Sequence, residues 1–254
     1  MPTLLGVINL SPESMVRDSI AETPDAIRER AQALRDQGVT IFDVGARSIT
    51  PDAAKIDDAE EQRRLEAGLP LLRGDTSRIS VDTWSPETAT RALTWGASLI
   101  NYTRGELPES LLDAIAAAGA SLALTYMPYG DAYRMREAQR LPYRVDSILE
   151  FLAPRVESAR AAGVREVLVD PNLGIIHPDT EDHVKIHLQL EVLENIAALR
   201  ALQCPILLYA ARKPERLARI MMAEAVLRAR PEYVRTHEPD IIHRLVDAAK
   251  EAAA

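Results

Sequence analysis

A single cysteine, Cys204, stands among 254 residues, so the chain forms no internal disulfide and no cysteine-based zinc site. Placed ahead of an apolar run, that thiol reads as buried and structural. Aromatic residues are scarce, at 4%, which leaves few stacking platforms for single-stranded nucleic acid. Positive charge is also short: the formal net charge of −8 excludes a surface built for phosphate backbones, though not a local basic pocket. No run of about 18 apolar residues occurs, and the start, MPTLLGVINLSPES, lacks a basic segment leading into a long apolar one. These absences predict a cytoplasmic chain whose core is built from Ala, Leu, Ile and Val.

What is present is a recurring unit. Short apolar, β-branched runs read as strands: LLGVIN (4–9), TIFDVG (40–45), RISVDT (78–83), SLINYT (98–103), LALTYM (122–127), EVLVDP (166–171), PILLYA (205–210) and EYVRTH (232–237). Helical segments follow them. Thr23-Pro24 and Ser85-Pro86 place a capping hydroxyl before a proline at the first helical position, and Gly38 and Gly96 stand where those helices should stop. Ile27, Ala31 and Leu34 mark one apolar helix face. Eight such units without a linker predict one (β/α)₈ TIM-barrel domain over residues 1–254, with an open doubly wound sheet as the alternative. The charged string DDAEEQRRLEAG reads as a solvated helix face.

In a barrel of this kind, the C-terminal strand ends converge on one mouth. Those ends carry Asn9, Asp43, Asp82, Asn101 and Asp170, then Arg212 and Lys213 after strand seven, and Arg235 with His237 on strand eight. Taken singly, Asp43 serves equally to organise a loop, Asp82 to cap a helix and Asp170 to shape a turn before Pro171. Taken together, carboxylates and a carboxamide in one apolar mouth call for a ligand rich in N–H donors, such as an amino-pyrimidinone edge. Arg235 and His237 alternate along a strand and face one side, where with Asn9 they suit a phosphate or diphosphate; an ordinary ion pair beside a satisfied histidine is the alternative.

The segments GVINLSPES, DVGARSITP, SVDT, LINYT, DPNLG, ARK and RTHEP, in that order, resemble dihydropteroate synthase and the pterin-binding barrel superfamily around it. The resemblance spans residues 5 to 240. It implies that Asp82, Asn101, Asp170 and Lys213 bind the pterin, that Met127 is an apolar wall, and that Asn9, Arg235 and His237 bind diphosphate, with Asn9 also a ligand of Mg²⁺. Lys213, Asp82 and Arg235 are the implied catalytic groups. The implied reaction is loss of diphosphate from a pterin methylene carbon and attack on the resulting cation by an amine, p-aminobenzoate or a related arylamine; a homodimer is also implied.

Departures from the family pattern are uneven. Met15 replaces a phenylalanine and Arg17 an aspartate in the first loop. The second loop reads Arg47-Ser48-Ile49-Thr50-Pro51, with its arginine three positions early. Pro214 replaces a serine, Tyr102 an aspartate, Asn172 a glycine, Ile175 a phenylalanine and Tyr209 a glycine. The pterin and anion groups are kept while the p-aminobenzoate groups change. Three readings follow: a synthase-type transferase, a pterin- or folate-dependent methyltransferase, and a non-catalytic pterin-binding paralogue acting as subunit or regulator. Retention of Asn9, Arg235 and His237 favours the first over the second, because methyl transfer releases no diphosphate, while the lost loop residues favour the third or a changed amine.

Overall fold

The structure, a computed structural model, describes residues 1–14, 16–49, 53–74 and 77–252. In chain order the strands and helices are β1 (Thr3–Asn9), α1 (Pro24–Asp36), β2 (Ile41–Gly45), α2 (Asp58–Leu72), β3 (Arg78–Thr83), α3 (Pro86–Thr94), β4 (Leu99–Tyr102), α4 (Glu109–Ala117), β5 (Ser121–Thr125), α5 (Ala132–Met135), α6 (Val145–Ala161), β6 (Val167–Asp170), α7 (Asp182–Glu194), β7 (Leu207–Tyr209), α8 (Arg216–Arg228), β8 (Tyr233–Thr236) and α9 (Pro239–Ala252). Every strand expected from the sequence forms, within two residues at either end.

Helix ends form as their residues dictate. The Thr23 and Ser85 hydroxyls each accept a backbone N–H at 3.2 Å, satisfying donors that a helix leaves free at its start. Gly38 and Gly96 take φ of 72° and 101°, a left-handed geometry that ends α1 and α3. The α1 face of Ile27, Ala31 and Leu34 is buried, and a β-carbon on Gly6 of β1 would lie 2.8 Å from Leu34, so glycine permits this close helix approach.

The strands run parallel in the order β6-β5-β4-β3-β2-β1-β8-β7. One seam remains, between β6 and β7. A lone bridge, Val169 to Ile206, with Val169 N–H donating to Pro205 O at 3.0 Å, draws its edges together into a (β/α)₈ barrel. Pro205 has no N–H to extend the ladder there.

Because side chains alternate along a strand, the barrel interior is stacked in layers. Leu5, Ile41, Leu99, Ala123, Leu168 and Leu207, with Tyr233 against them, form an apolar middle layer. Two residues earlier along their strands lie Ser121 and Glu166, which with Arg78 and the Tyr233 hydroxyl close the lower end. Glu166 accepts from Ser121 at 2.5 Å and from Tyr233 at 2.8 Å, while Arg78 donates to Ser121 at 2.8 Å. Two residues beyond the middle layer lie Asp43, Asn101, Thr125, Asp170, Tyr209 and Arg235. That upper layer is the mouth.

The charged string of α2 is only partly a solvated face. Glu61 is completely buried, at the head of the apolar row Leu65, Leu69 and Leu72. Its carboxylate accepts from Arg47 at 2.6 Å, Thr83 at 2.9 Å and Thr88 at 3.0 Å. Arg47 also pairs with Asp58 at 2.5 Å and lies 4.7 Å over the Trp84 ring. Burial raises the Glu61 pKa against these partners. Its place on the apolar row, a turn before Leu65, is the sequence signal that was open to reading.

Candidate active site

The upper layer gathers the acidic and amide groups in one place. Arg235 sits between two carboxylates, its Nε donating to Asp43 at 2.5 Å and an Nη to Asp82 at 2.9 Å. Asp43, fully buried, also accepts from Ser80 at 2.6 Å. Neighbouring β4 and β5 meet through Thr125, whose hydroxyl donates to Asn101 Oδ1 at 3.3 Å. Asp170 closes the arc from β6, one oxygen accepting from the Asn172 N–H at 2.7 Å. Asp170 therefore does shape its own turn, as one of the two sequence readings held. That occupies one of its two oxygens.

Taking these carboxyls out of water has a charge cost that the protein leaves partly unanswered. Burial pushes Asp82 up to about 7, with Asp43, Glu61 and Asp170 adding to the rise and Arg235 opposing it. Burial likewise pushes Asp170 up to about 7, against the Asn172 N–H and Arg235. N–H donors facing either carboxyl would lower its pKa again.

Lys213 reaches in from beyond β7 and donates to Gln189 Oε1 at 2.6 Å, while the Gln189 amide donates to Leu173 O at 2.5 Å. Burial lowers the Lys213 pKa. Met127 is buried and lines a cavity of about 200 Å³ between the loops after β5 and β6, together with Tyr126, Tyr143, Asn172 and Ile175.

The basic side has a different character. His237 is half-buried, and desolvation of its ring, reinforced by Arg235, Arg212 and Arg30, holds its pKa down to about 3. Its Nδ1 is buried with no partner among the described residues. Arg30 holds the same corner by donating to the carbonyls of Val7 and His237. Asn9 closes this side, its amide donating to Ser14 at 2.7 Å. A neutral imidazole ringed by guanidinium groups is suited to an anion. For Mg²⁺, Asn9 offers one carboxamide oxygen, and no cluster of three or more His, Cys, Asp or Glu among the described residues could hold a metal. That donor set fits an ion carried in on phosphate oxygens and keeping its waters, not a caged one.

His237 lies one residue past the end of β8, so the expected alternation with Arg235 along the strand does not extend to it; both meet the Tyr209 ring, and the Arg235 guanidinium is drawn to Asp43 and Asp82 on the acidic side. Sequence reasoning also missed partners. Arg17 replaces the first-loop aspartate, but Asp18, one residue on, forms an ion pair with Arg212. Asn172 adopts φ 65° and ties Tyr126 O to the Ile175 N–H, so it serves the left-handed turn that its glycine counterpart would. The early arginine of the second loop, Arg47, is committed to Asp58 and Glu61. The departures at Met15 and Thr50, with Pro51 beside the latter, lie outside the described residues.

A family model described as pterin binding enzyme matches residues 5–235. The chain belongs to the pterin binding enzyme family. Among curated relatives, dihydropteroate synthase type-1 of Escherichia coli is 30% identical over 218 residues, spanning 84% of this chain and 76% of that protein. Dihydropteroate synthase from Thermus thermophilus, solved in complex with 4-aminobenzoate, is 25% identical, with a TM-score of 0.74 over 98% of this chain and 94% of its own. Dihydropteroate synthase from Yersinia pestis, solved with a sulfonamide drug, superposes with a TM-score of 0.83 at 22% identity, over 100% of this chain and 95% of that one, and shows the shared barrel.

Proposed function

We propose that this pterin binding enzyme is a dihydropteroate synthase-type transferase, condensing 6-hydroxymethyl-7,8-dihydropterin diphosphate with p-aminobenzoate or a related arylamine and releasing diphosphate. The observation that carries the reading is the mouth itself, where the carboxyls of Asp43, Asp82 and Asp170 lie near Arg235 and the buried Nδ1 of His237 has no partner among the described residues. A flat heterocycle rich in N–H donors suits the first side, and its diphosphate the second. Relatives named dihydropteroate synthase support the same assignment.

In this reading Asp170 and Asp82 accept from the pyrimidinone edge, Asn101 orients the bicycle, Met127 supplies an apolar wall, and Lys213 moves from Gln189 to the ring carbonyl. Asn9, His237 and Arg235 receive the diphosphate, and Asn9 would hold a Mg²⁺ ion, which would supply neutralisation of phosphate charge. The methylene C–O bond breaks with its electron pair leaving on diphosphate, the arylamine nitrogen bonds to the carbon, and that nitrogen then loses a proton. Side chains position the reactants and stabilise the leaving group; none becomes a nucleophile.

A changed acceptor is favoured by two observations: Arg47 is buried in the Asp58–Glu61 network, and Pro214 offers neither hydroxyl nor N–H where a carboxylate would dock. Incubation with dihydropterin diphosphate, Mg²⁺ and p-aminobenzoate should yield diphosphate and a pteroate product. Release only with another arylamine assigns a different acceptor. Pterin binding without release from any amine overturns catalysis and leaves the non-catalytic reading.

The same proposal includes a homodimer. Ile186 and Leu190 on α7 and Leu217 and Met221 on α8 are exposed apolar residues at i, i+4 spacing on helices that touch. Sedimentation at twice the chain mass is the expected result. A cytoplasmic location accords with the described helices, none of which is long and apolar enough to cross a membrane.

A further inference from the structure

We infer that Tyr209 is a specificity-determining residue, whose ring fills the part of the mouth that a bicyclic ligand must cross between its two grips. The inference rests on the pterin reading above. Tyr209 ends β7 and belongs to the same inward layer as Asp170 on β6 and Arg235 on β8, its register partner being Arg235. A ligand held by Asp170 at one end and His237 at the other therefore passes over β7.

The ring is hemmed in on that path. The Arg235 guanidinium carbon lies 5.1 Å from the ring centroid, and the His237 ring meets it edge to face at 5.9 Å. Toward β6 it presses on Gly174, where an added β-carbon would stand 2.8 Å from Cδ1 and 3.2 Å from Cε1. The hydroxyl accepts the Arg212 N–H at 3.4 Å, a long contact that fixes the ring only weakly. Tyr209 thus covers the β6–β7 seam, the one place where the barrel is joined by a lone bridge.

In consequence, a bicycle enters only as the ring turns away, giving up its contacts with Arg235 and Gly174. A single-ring pyrimidinone gripped by Asp170 stops short of β7 and leaves the ring in place. Removing the ring therefore changes the preference between the two ligands, which a general loosening of the barrel would not do.

The test compares 6-hydroxymethylpterin with 2-amino-4-hydroxypyrimidine by calorimetric titration, in the wild-type chain and in Tyr209→Gly, Tyr209→Ser and Tyr209→Phe. Both small variants should bind the pterin about tenfold more tightly than wild type, since the cost of displacing the ring is gone. Affinity for the single ring should stay within about twofold, and Tyr209→Phe should match wild type within about twofold for both ligands. Should Tyr209→Gly fail to fold, Tyr209→Ser decides. Unchanged or weaker pterin binding in the small variants overturns the inference while leaving the pterin reading standing. Failure of every folded variant, wild type included, to bind pterin overturns both.

Discussion

The two ends of the barrel use the same kinds of residue to opposite effect. At the lower end Glu166 is met by Ser121, Tyr233 and Arg78; burial pushes its pKa up, but those partners outweigh it and the net shift is downward. At the mouth Asp82 and Asp170 are pushed up to about 7, and His237 is held down to about 3 with a nitrogen unpartnered. Charge at one end is satisfied within the fold. At the other, in the reading proposed above, a ligand completes it. In barrels of this type the lower face serves stability and the upper face chemistry, and the electrostatics here divide along that line.

The strongest test of the contrast is Arg235, the cation paired with both Asp43 and Asp82. Arg235→Ala should cost about 3–5 kcal/mol, read from denaturant unfolding, because Asp43 is then buried without its cation. It should also weaken binding of the diphosphate form more than that of the free pterin. Equal weakening of both would remove Arg235 from the anion site. Next in size, Glu166→Ala should cost about 2 kcal/mol by the same measurement, leaving Tyr233 and Ser121 short of an acceptor, while pterin affinity is unchanged. A loss of affinity there would mean that the two ends are not independent.

Smaller effects follow from pH. A carboxyl whose folded pKa is raised contributes stability that is fully present below its unfolded pKa and lost as pH rises through the folded value. Asp82 and Asp170 should therefore lower the melting temperature between about pH 4 and pH 7. His237, depressed in the fold, works oppositely, with stability present above about pH 6.5 and lost as pH falls toward its folded value of about 3. Melting curves in which Asp170→Asn removes none of the fall between pH 4 and 7 would contradict the mouth's assigned charge state.

Strand order and layer were legible because alternation is a local property: Asp43, Asp82, Asn101, Asp170 and Arg235 each sit one step beyond an apolar run, and period two alone turns them inward. The capped starts at Thr23 and Ser85 were legible for the same reason, each motif closing within three residues. Partners across the barrel were not. Nothing near Arg235 in the chain says that Asp43, 192 residues away, holds its Nε. Glu61 hid in a charged string because its burial depends on Arg47 arriving from the preceding loop. Tyr209 stood out in the sequence only as a tyrosine in place of a family glycine, and its place across the β6–β7 seam follows only once the barrel closes.

Asp170→Asn, studied at pH 8, puts the claim about the mouth to its most direct trial. The amide keeps the acceptor used by the Asn172 N–H but removes the charge, so pterin affinity should fall by about a hundredfold while the melting temperature holds or rises. Affinity retained alongside a lower melting temperature would mean that Asp170 serves the fold and not a ligand.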